Sequence, residues 1–296
     1  MKDVGIKQAQ HHEDQVHEEA QYKITSHDTQ LARLRKHMVI NATVSERLSR
    51  LTSKNITAQN IQQLTKKDHN MWHELGRGKA ILSELYHLEQ YFYSYGPMIC
   101  KQWSEVRKVI NINSNLIDIF DYGCGQGIGT ANILDHLRSG NKANNQDPRH
   151  CEDNALNPLS NVININLIEP SPIALSRANR LLNIYPTQSS FNLVNKELNE
   201  LAVDDLKYTA SSTKIHIFSN ILDIGSFDQL AVLEKILSIK GDHYLVAVSP
   251  QSSDGGVRMT EIYNKIVRSY KAKSHQKWDL TYKTQIHNAF FAYLEV

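Results

Sequence analysis

Residues 117–130 read IDIFDYGCGQGIGT, an apolar run that meets four glycines at alternate positions before a helix-forming stretch begins. Glycine inside a helix or strand costs about 0.5–1 kcal/mol relative to alanine. Such a density therefore marks a loop whose backbone turns sharply or lies against something. On one side is a buried strand, Leu116–Phe120; on the other, a helix with Ala131, Ile133, Leu134 and Leu137 on its apolar face. In an open parallel sheet a loop of this kind sits beyond the carboxyl end of its strand, where ligands bind, and the following helix offers unpaired N–H groups.

The remaining sequence supports such a sheet. Strands are expected at Val162–Ile168, Phe191–Val194, Ile215–Phe218 and His243–Val248, with two closing runs at Leu280–Ile286 and Phe290–Val296. Helical patterns lie between them. Ser171-Pro172 supplies an N-cap and first-turn proline, Ser226 caps a helix through Leu237, and another helix covers Thr260–Tyr270. Alternating strands and helices imply a mainly parallel sheet covered on both faces, an α/β architecture. Residues 139–160 are polar and read as a surface loop insertion.

Upstream, residues 1–22 read as a polar tail, and 23–110 as a helical domain ahead of the sheet domain at 111–296. Ser26 or Asp28 caps a first helix, and a second amphipathic stretch surrounds Leu48. Thr57 caps a third, with Ile56 and Ile61 placed as a hydrophobic staple. A further helix carries Ile81, Leu82, Leu85, Leu88, Tyr91, Phe92 and Tyr95 until Gly96-Pro97 breaks the pattern. This aromatic stripe reads as core, with Tyr95 the best placed of it for ligand contact. The segment 31–67 holds eight lysines and arginines against one acid, Glu46. It reads either as a solvated face or as a docking surface for RNA or an acidic partner.

Composition narrows the class. Net charge is +2, so global charge favours neither nucleic acid nor membrane. The three cysteines form no C-x-x-C pair and point to free thiols in a reducing, cytoplasmic setting, with no metal site expected. The histidines at 11, 12 and 17 belong to a polar tail. No run reaches the roughly 20 apolar residues of a membrane span, so no membrane partner is expected.

The glycine spacing then discriminates between ligands. A dinucleotide loop, G-x-G-x-x-G, needs a glycine at 128, where Ile128 stands, or at 130, where Thr130 stands. Asp121-x-Gly123-x-Gly125-x-Gly127 instead resembles the first motif of the class I S-adenosylmethionine-dependent methyltransferases, over a region from about Leu116 to the carboxyl terminus. The resemblance implies a seven-stranded Rossmann-like sheet whose last strand is antiparallel. It implies S-adenosylmethionine as cofactor, with Asp121, Gly123, Cys124, Gly125 and Gly127 around its methionine part. Glu169, ending the second strand, would hold the ribose hydroxyls, and Asn195 at the end of the third would stand near the adenine. Two features depart from the pattern: Glu169 lies further from the loop than usual, and Asn195 replaces the usual acid. Cys124 suits packing better than nucleophilic chemistry.

At the end of the fourth strand the chain reads Ser219-Asn220-Ile221-Leu222-Asp223, without the Asn/Asp-Pro-Pro-aromatic signature of enzymes that methylate nucleic-acid amines. Asn220 and Asp223 are candidates for the pocket, Asn220 for both cofactor and catalysis, or equally for a capping turn. With Tyr95 they are the catalytic candidates; no base is identified, because aligning an activated methyl donor with its acceptor needs little acid–base help. The expected activity is methyl transfer to RNA, to a small molecule or to a protein side chain. A non-catalytic cofactor-binding protein is the alternative from another class.

Overall fold

The computed structural model describes residues 49–65, 72–112, 114–144, 159–251 and 254–296. All of them lie in the compact unit Leu48–Val296. The two upstream helices and most of the basic 31–67 segment fall outside these residues.

Seven strands form one sheet: β1 (Ile117–Tyr122), β2 (Val162–Ile168), β3 (Ser190–Val194), β4 (Thr213–Ser219), β5 (Asp242–Pro250), β6 (Ser274–Tyr282) and β7 (Gln285–Glu295). Their order is β3-β2-β1-β4-β5-β7-β6. The first five run parallel, while β7 is antiparallel to both β5 and β6. All six residues of β1, Asp118 and Asp121 included, are buried, as befits a central strand covered on both faces. The order reverses between β1 and β4, so a crevice opens beyond their carboxyl ends, next to the glycine loop.

Two cores lie on the two faces. Ile117 and Ile119 of β1 join one, with α1 (Ala58–Gln62), α2 (Leu85–Val109), α3 (Ile128–Asn144) and α4 (Pro172–Leu182). Phe120 and Tyr122 join the other, with α5 (Gln229–Ile236) and α6 (Gly255–Arg268). The segment expected as a helical domain, 23–110, thus contributes Ile56, Ile61, Phe92 and Trp103 to the core beneath the sheet.

Local chemistry accounts for the helix ends. Thr57 accepts a hydrogen bond from the Asn60 amide, and Ile56 and Ile61 are buried at the staple positions. Ser171 accepts from the Ala174 amide ahead of Pro172. Helix α5 is capped by Asp228, not Ser226, because the Asp228 carboxylate accepts from two amides, Leu230 and Ala231.

Elsewhere the structure corrects the reading. Gly96-Pro97 does not end the helix: α2 runs for 25 residues through Pro97. Proline inside a helix costs about 3 kcal/mol, but Leu88, Phe92, Ile99, Trp103 and Val106 all bury along one face. That burial offsets the lost bond. Gly96 serves closeness instead, since a Cβ there would meet the Gln62 side chain at 2.5 Å. Ile81 and Leu82 lie before the helix, and Ile81 is exposed. Helix α3 continues to Asn144, into the stretch expected as loop from 139; the centre of that stretch lies outside the described residues. The closing hairpin turns at Lys283-Thr284, earlier than expected, with Lys283 at φ 53°. The stretch Leu280–Ile286, expected as one strand, crosses that turn, because apolar residues alternate with polar ones on both sides of Lys283-Thr284.

Candidate cofactor and acceptor site

The loop after β1 is built around Asp121. Its side chain is fully buried, and Oδ2 accepts from the Thr130 amide at 3.0 Å and the Thr130 hydroxyl at 2.7 Å. The carboxylate therefore ties the strand end to the first turn of α3. A Cβ at Gly129 would lie 3.1 Å from Asp121 Oδ2, so glycine permits that approach. Oδ1 accepts no hydrogen bond from the described residues. Burial, with Glu169 adding to it, pushes this carboxyl up to about 7 against the pull of the two Thr130 bonds.

The other motif residues divide by role. Gly125 has φ 52°, and a Cβ added there would meet nothing within 4 Å, so its open side faces the cavity. Gly123 also lines the cavity, beneath Ile221, whereas Gly127 packs against Leu182. Cys124 is buried in the core with its amide bonded to the Ile168 carbonyl, and burial raises its thiol well above the ordinary range.

Glu169 stands where β2 ends. Oε2 accepts from the Gly125 amide and Oε1 from the Ser171 amide, both at 2.9 Å. Each oxygen keeps a second lone pair, so the carboxylate can still accept from two vicinal hydroxyls. Asn195 donates to the carbonyls of Glu169 and Pro170, both at 2.9 Å. It braces the turn that carries Glu169.

Above the loop lies a roof that the sequence did not announce. Gln126 donates to the Leu88 carbonyl at 2.9 Å. Buried Arg177 of α4 pairs with Glu89 of α2 at 2.6 Å and donates to Gln126 at 3.1 Å. The Ser171 hydroxyl donates to the Leu82 carbonyl. Lys79 donates to the Asp223 carbonyl and lies 3.6 Å from its carboxylate. On the other flank, Arg258 of α6 donates to the carbonyls of Leu222 and Phe227 and fixes the segment after β4. Gln126 lies within the glycine loop and Ser171 is the expected N-cap, but Lys79, Arg177 and Arg258 belong to no motif, and their partners are distant in sequence.

Two adjoining cavities result. The inner one, about 330 Å³, is lined by Gly123, Gly125, Glu169, Leu198 and Phe227 among others. The outer one, about 680 Å³, is lined by Tyr95, Met98, Asp223, Pro250 and Ile286 among others. Gly78, Lys79, Tyr91 and Asn220 line both and so form the wall between them. Asp121, Cys124, Gly127 and Asn195 are not among the lining residues of either cavity. Asn220 is held at φ 57°, uncommon for a residue with a side chain. Burial raises the Asp223 carboxyl, with Lys79 opposing, and burial raises the Tyr91 hydroxyl further. Among the described residues no group of three His, Cys, Asp or Glu could hold a metal, and no helix is long and apolar enough to cross a membrane.

No protein-family model and no curated protein matches the chain. Similar solved structures include the small RNA methyltransferase HEN1, at 14% identity and TM-score 0.42, over 65% of this chain and 25% of that one. A Leishmania major S-adenosylmethionine-dependent methyltransferase is 10% identical, with TM-score 0.43, over 80% and 90% of the two chains. The METTL16 methyltransferase domain is 12% identical, with TM-score 0.41, over 79% and 96%. The chain thus spans a quarter of the HEN1 structure and most of the other two. With its parallel core ordered β3-β2-β1-β4-β5 and β7 inserted antiparallel beside β5, the chain has a mainly parallel, seven-stranded Rossmann-like fold.

Proposed function

We propose that the protein transfers a methyl group from S-adenosylmethionine, held in the inner cavity, to an acceptor group placed in the outer one. One observation carries the reading: two cavities meet at a wall of four residues directly beyond β1 and β4. The inner cavity suits the cofactor. Glu169 has lone pairs left for the ribose hydroxyls, Gly125 lets the ligand approach the backbone, and Asp121 keeps a buried oxygen without a donor among the described residues. S-adenosylmethionine supplies an already activated methyl group, so displacement needs alignment and exclusion of water more than proton transfer. Tyr91 and Asn220 sit where alignment is set, and the roof residues Lys79 and Leu82 restrict water.

The outer cavity supports a neutral acceptor group. Asp223, the one carboxylate among its described lining residues, is already paired with Lys79, and Tyr91, Tyr95, Met98 and Ile286 give it apolar and aromatic walls. Isothermal titration with S-adenosylhomocysteine should show binding that Asp121→Ala and Gly125→Val abolish; unchanged affinity in both variants would sink the proposal. Labelled S-adenosylmethionine added to fractionated cell extract should place label in an acceptor fraction. Binding without label in any fraction would identify a non-catalytic cofactor-binding protein.

The basic segment 31–67 supports RNA as the carrier of that acceptor group. Label in RNA, RNA affinity falling steeply with salt, and weakening by charge reversal at Arg47 and Arg50 are the expected results. Label in protein or small metabolites, with salt-insensitive binding, would replace it.

A further inference from the structure

We infer that Gln102 is a positioning residue that sets the direction of the Asn220 amide, and that His287 locks it. The inference deepens the methyltransferase reading and rests on it for its catalytic meaning.

Three side chains from three elements form one array. Asn220 directly follows β4 in the wall between the cavities, and Gln102 reaches it from α2, almost wholly buried. The two amides pair reciprocally: Gln102 Nε2 donates to Asn220 Oδ1 at 3.0 Å, and Asn220 Nδ2 donates to Gln102 Oε1 at 2.9 Å. Gln102 Nε2 also meets His287 Nδ1 of β7 at 2.9 Å. An amide nitrogen carries two hydrogens; with one given to Asn220, the other is aimed at His287. His287 Nδ1 must then offer a lone pair, and the ring proton sits on Nε2.

That assignment couples all three groups. Reversing the Asn220 amide requires reversing Gln102, which would set the Gln102 carbonyl against His287 Nδ1 and demand a proton there. His287 is buried, and its Nε2 has no partner among the described residues. The Gln102 contact is therefore what selects its tautomer. The array has two self-consistent states of opposite polarity, and they exchange the amide nitrogen and oxygen that Asn220 holds at the wall. Each state leaves Asn220 one hydrogen and one lone pair for a ligand, in swapped positions. Asn220 thereby discriminates between acceptor groups by their hydrogen-bond pattern, and Gln102 and His287 choose which pattern is accepted.

Histidine-selective ¹⁵N NMR of the full chain tests the array without any ligand, with His287 assigned by loss of its signals in His287→Gln. The expected spectrum has an unprotonated Nδ1 and a protonated Nε2. A protonated Nδ1 in the wild-type protein overturns the proposal, and that measurement does not depend on the folding of any Gln102 variant. In Gln102→Glu the introduced carboxylate cannot donate to Nδ1, so the proton should move there; an unchanged signature overturns it too. The same variant should lower label transfer into the acceptor fraction by at least about tenfold while S-adenosylhomocysteine affinity holds. Parallel loss of both would mark Gln102 as merely structural. Absence of S-adenosylhomocysteine binding in the wild-type protein would defeat the methyltransferase reading alone, because the NMR result stands independently.

Discussion

Asp121 shows how much one side chain can report. Its carboxyl is pushed up to about 7 chiefly by burial, and a cationic amino group bound in the cavity over the glycine loop would favour the charged form. S-adenosylhomocysteine binding near pH 7 should therefore release a proton, and affinity should strengthen as pH rises toward 7. Calorimetry in two buffers of different ionisation heat measures this, and Asp121→Asn should remove the release; a buffer-independent heat would refute it. Gly125 permits a cleaner test, because nothing stands within 4 Å of the added carbon. Gly125→Ala should cost about 1–2 kcal/mol for its left-handed backbone, read as a lower urea midpoint. Gly125→Val should additionally exclude the ligand. These positions were legible in sequence, because alternate glycines after a buried strand state a backbone requirement. Lys79 and Gln102 were not: their partners Asp223 and His287 lie 144 and 185 positions away, and nothing local marks either residue.

Among the elements, α2 departs furthest from its sequence. Apolar spacing announced its first half, but Gly96-Pro97 hid the rest, since local propensity is overridden wherever a helix buries a continuous face. Its amino-terminal half is held to α4 by Glu89 and buried Arg177. Removing one partner of such a pair strands the other charge, at a cost of about 3–5 kcal/mol. Glu89→Leu should lower unfolding free energy by about that amount, while Glu89→Leu with Arg177→Met should recover much of it. A double variant no more stable than the single would show that the pair is not coupled. The five parallel strands were legible to within a few residues, because short apolar runs between helical patterns have few alternatives. The hairpin was misplaced because its turn carries no Asn-Gly or Asp-Gly signal.

For the molecule as a whole, a polar thread through the sheet's second core governs the response to acid. Tyr122 bonds His216 at 3.0 Å, His216 bonds His243 at 2.9 Å, and His243 bonds the Ile239 carbonyl at 2.9 Å. Burial first, then neighbouring charge, holds His216 well below 6.5, and burial brings His243 down to about 4. The unfolded chain binds more protons than the folded one across that window, so stability rises with pH there. This contribution is complete above about pH 6.5 and is lost as pH falls toward 4. Asp121 acts oppositely in the ligand-free protein, stabilising below its unfolded value and losing that effect as pH climbs to about 7. Urea unfolding across this range should show a shallower acid loss in a Tyr122→Phe, His216→Phe, His243→Leu variant than in the parent. Equal slopes would count against the thread.

One consequence of the unbroken α2 concerns what the protein can tolerate in evolution. Tyr91, Tyr95, Met98 and Gln102 all stand on that single rod, so the wall, the outer chamber and the amide array share one screw axis. At 3.6 residues per turn, inserting a single residue between Tyr91 and Gln102 would rotate one end against the other by about 100°. The roof bonds of Leu88 and Glu89 would then face the wrong way whenever Gln102 faced Asn220. Residues along this rod can be exchanged, but its length cannot drift. Relatives that bind a different ligand in the outer cavity should vary in side chains here and keep the count between these positions unchanged.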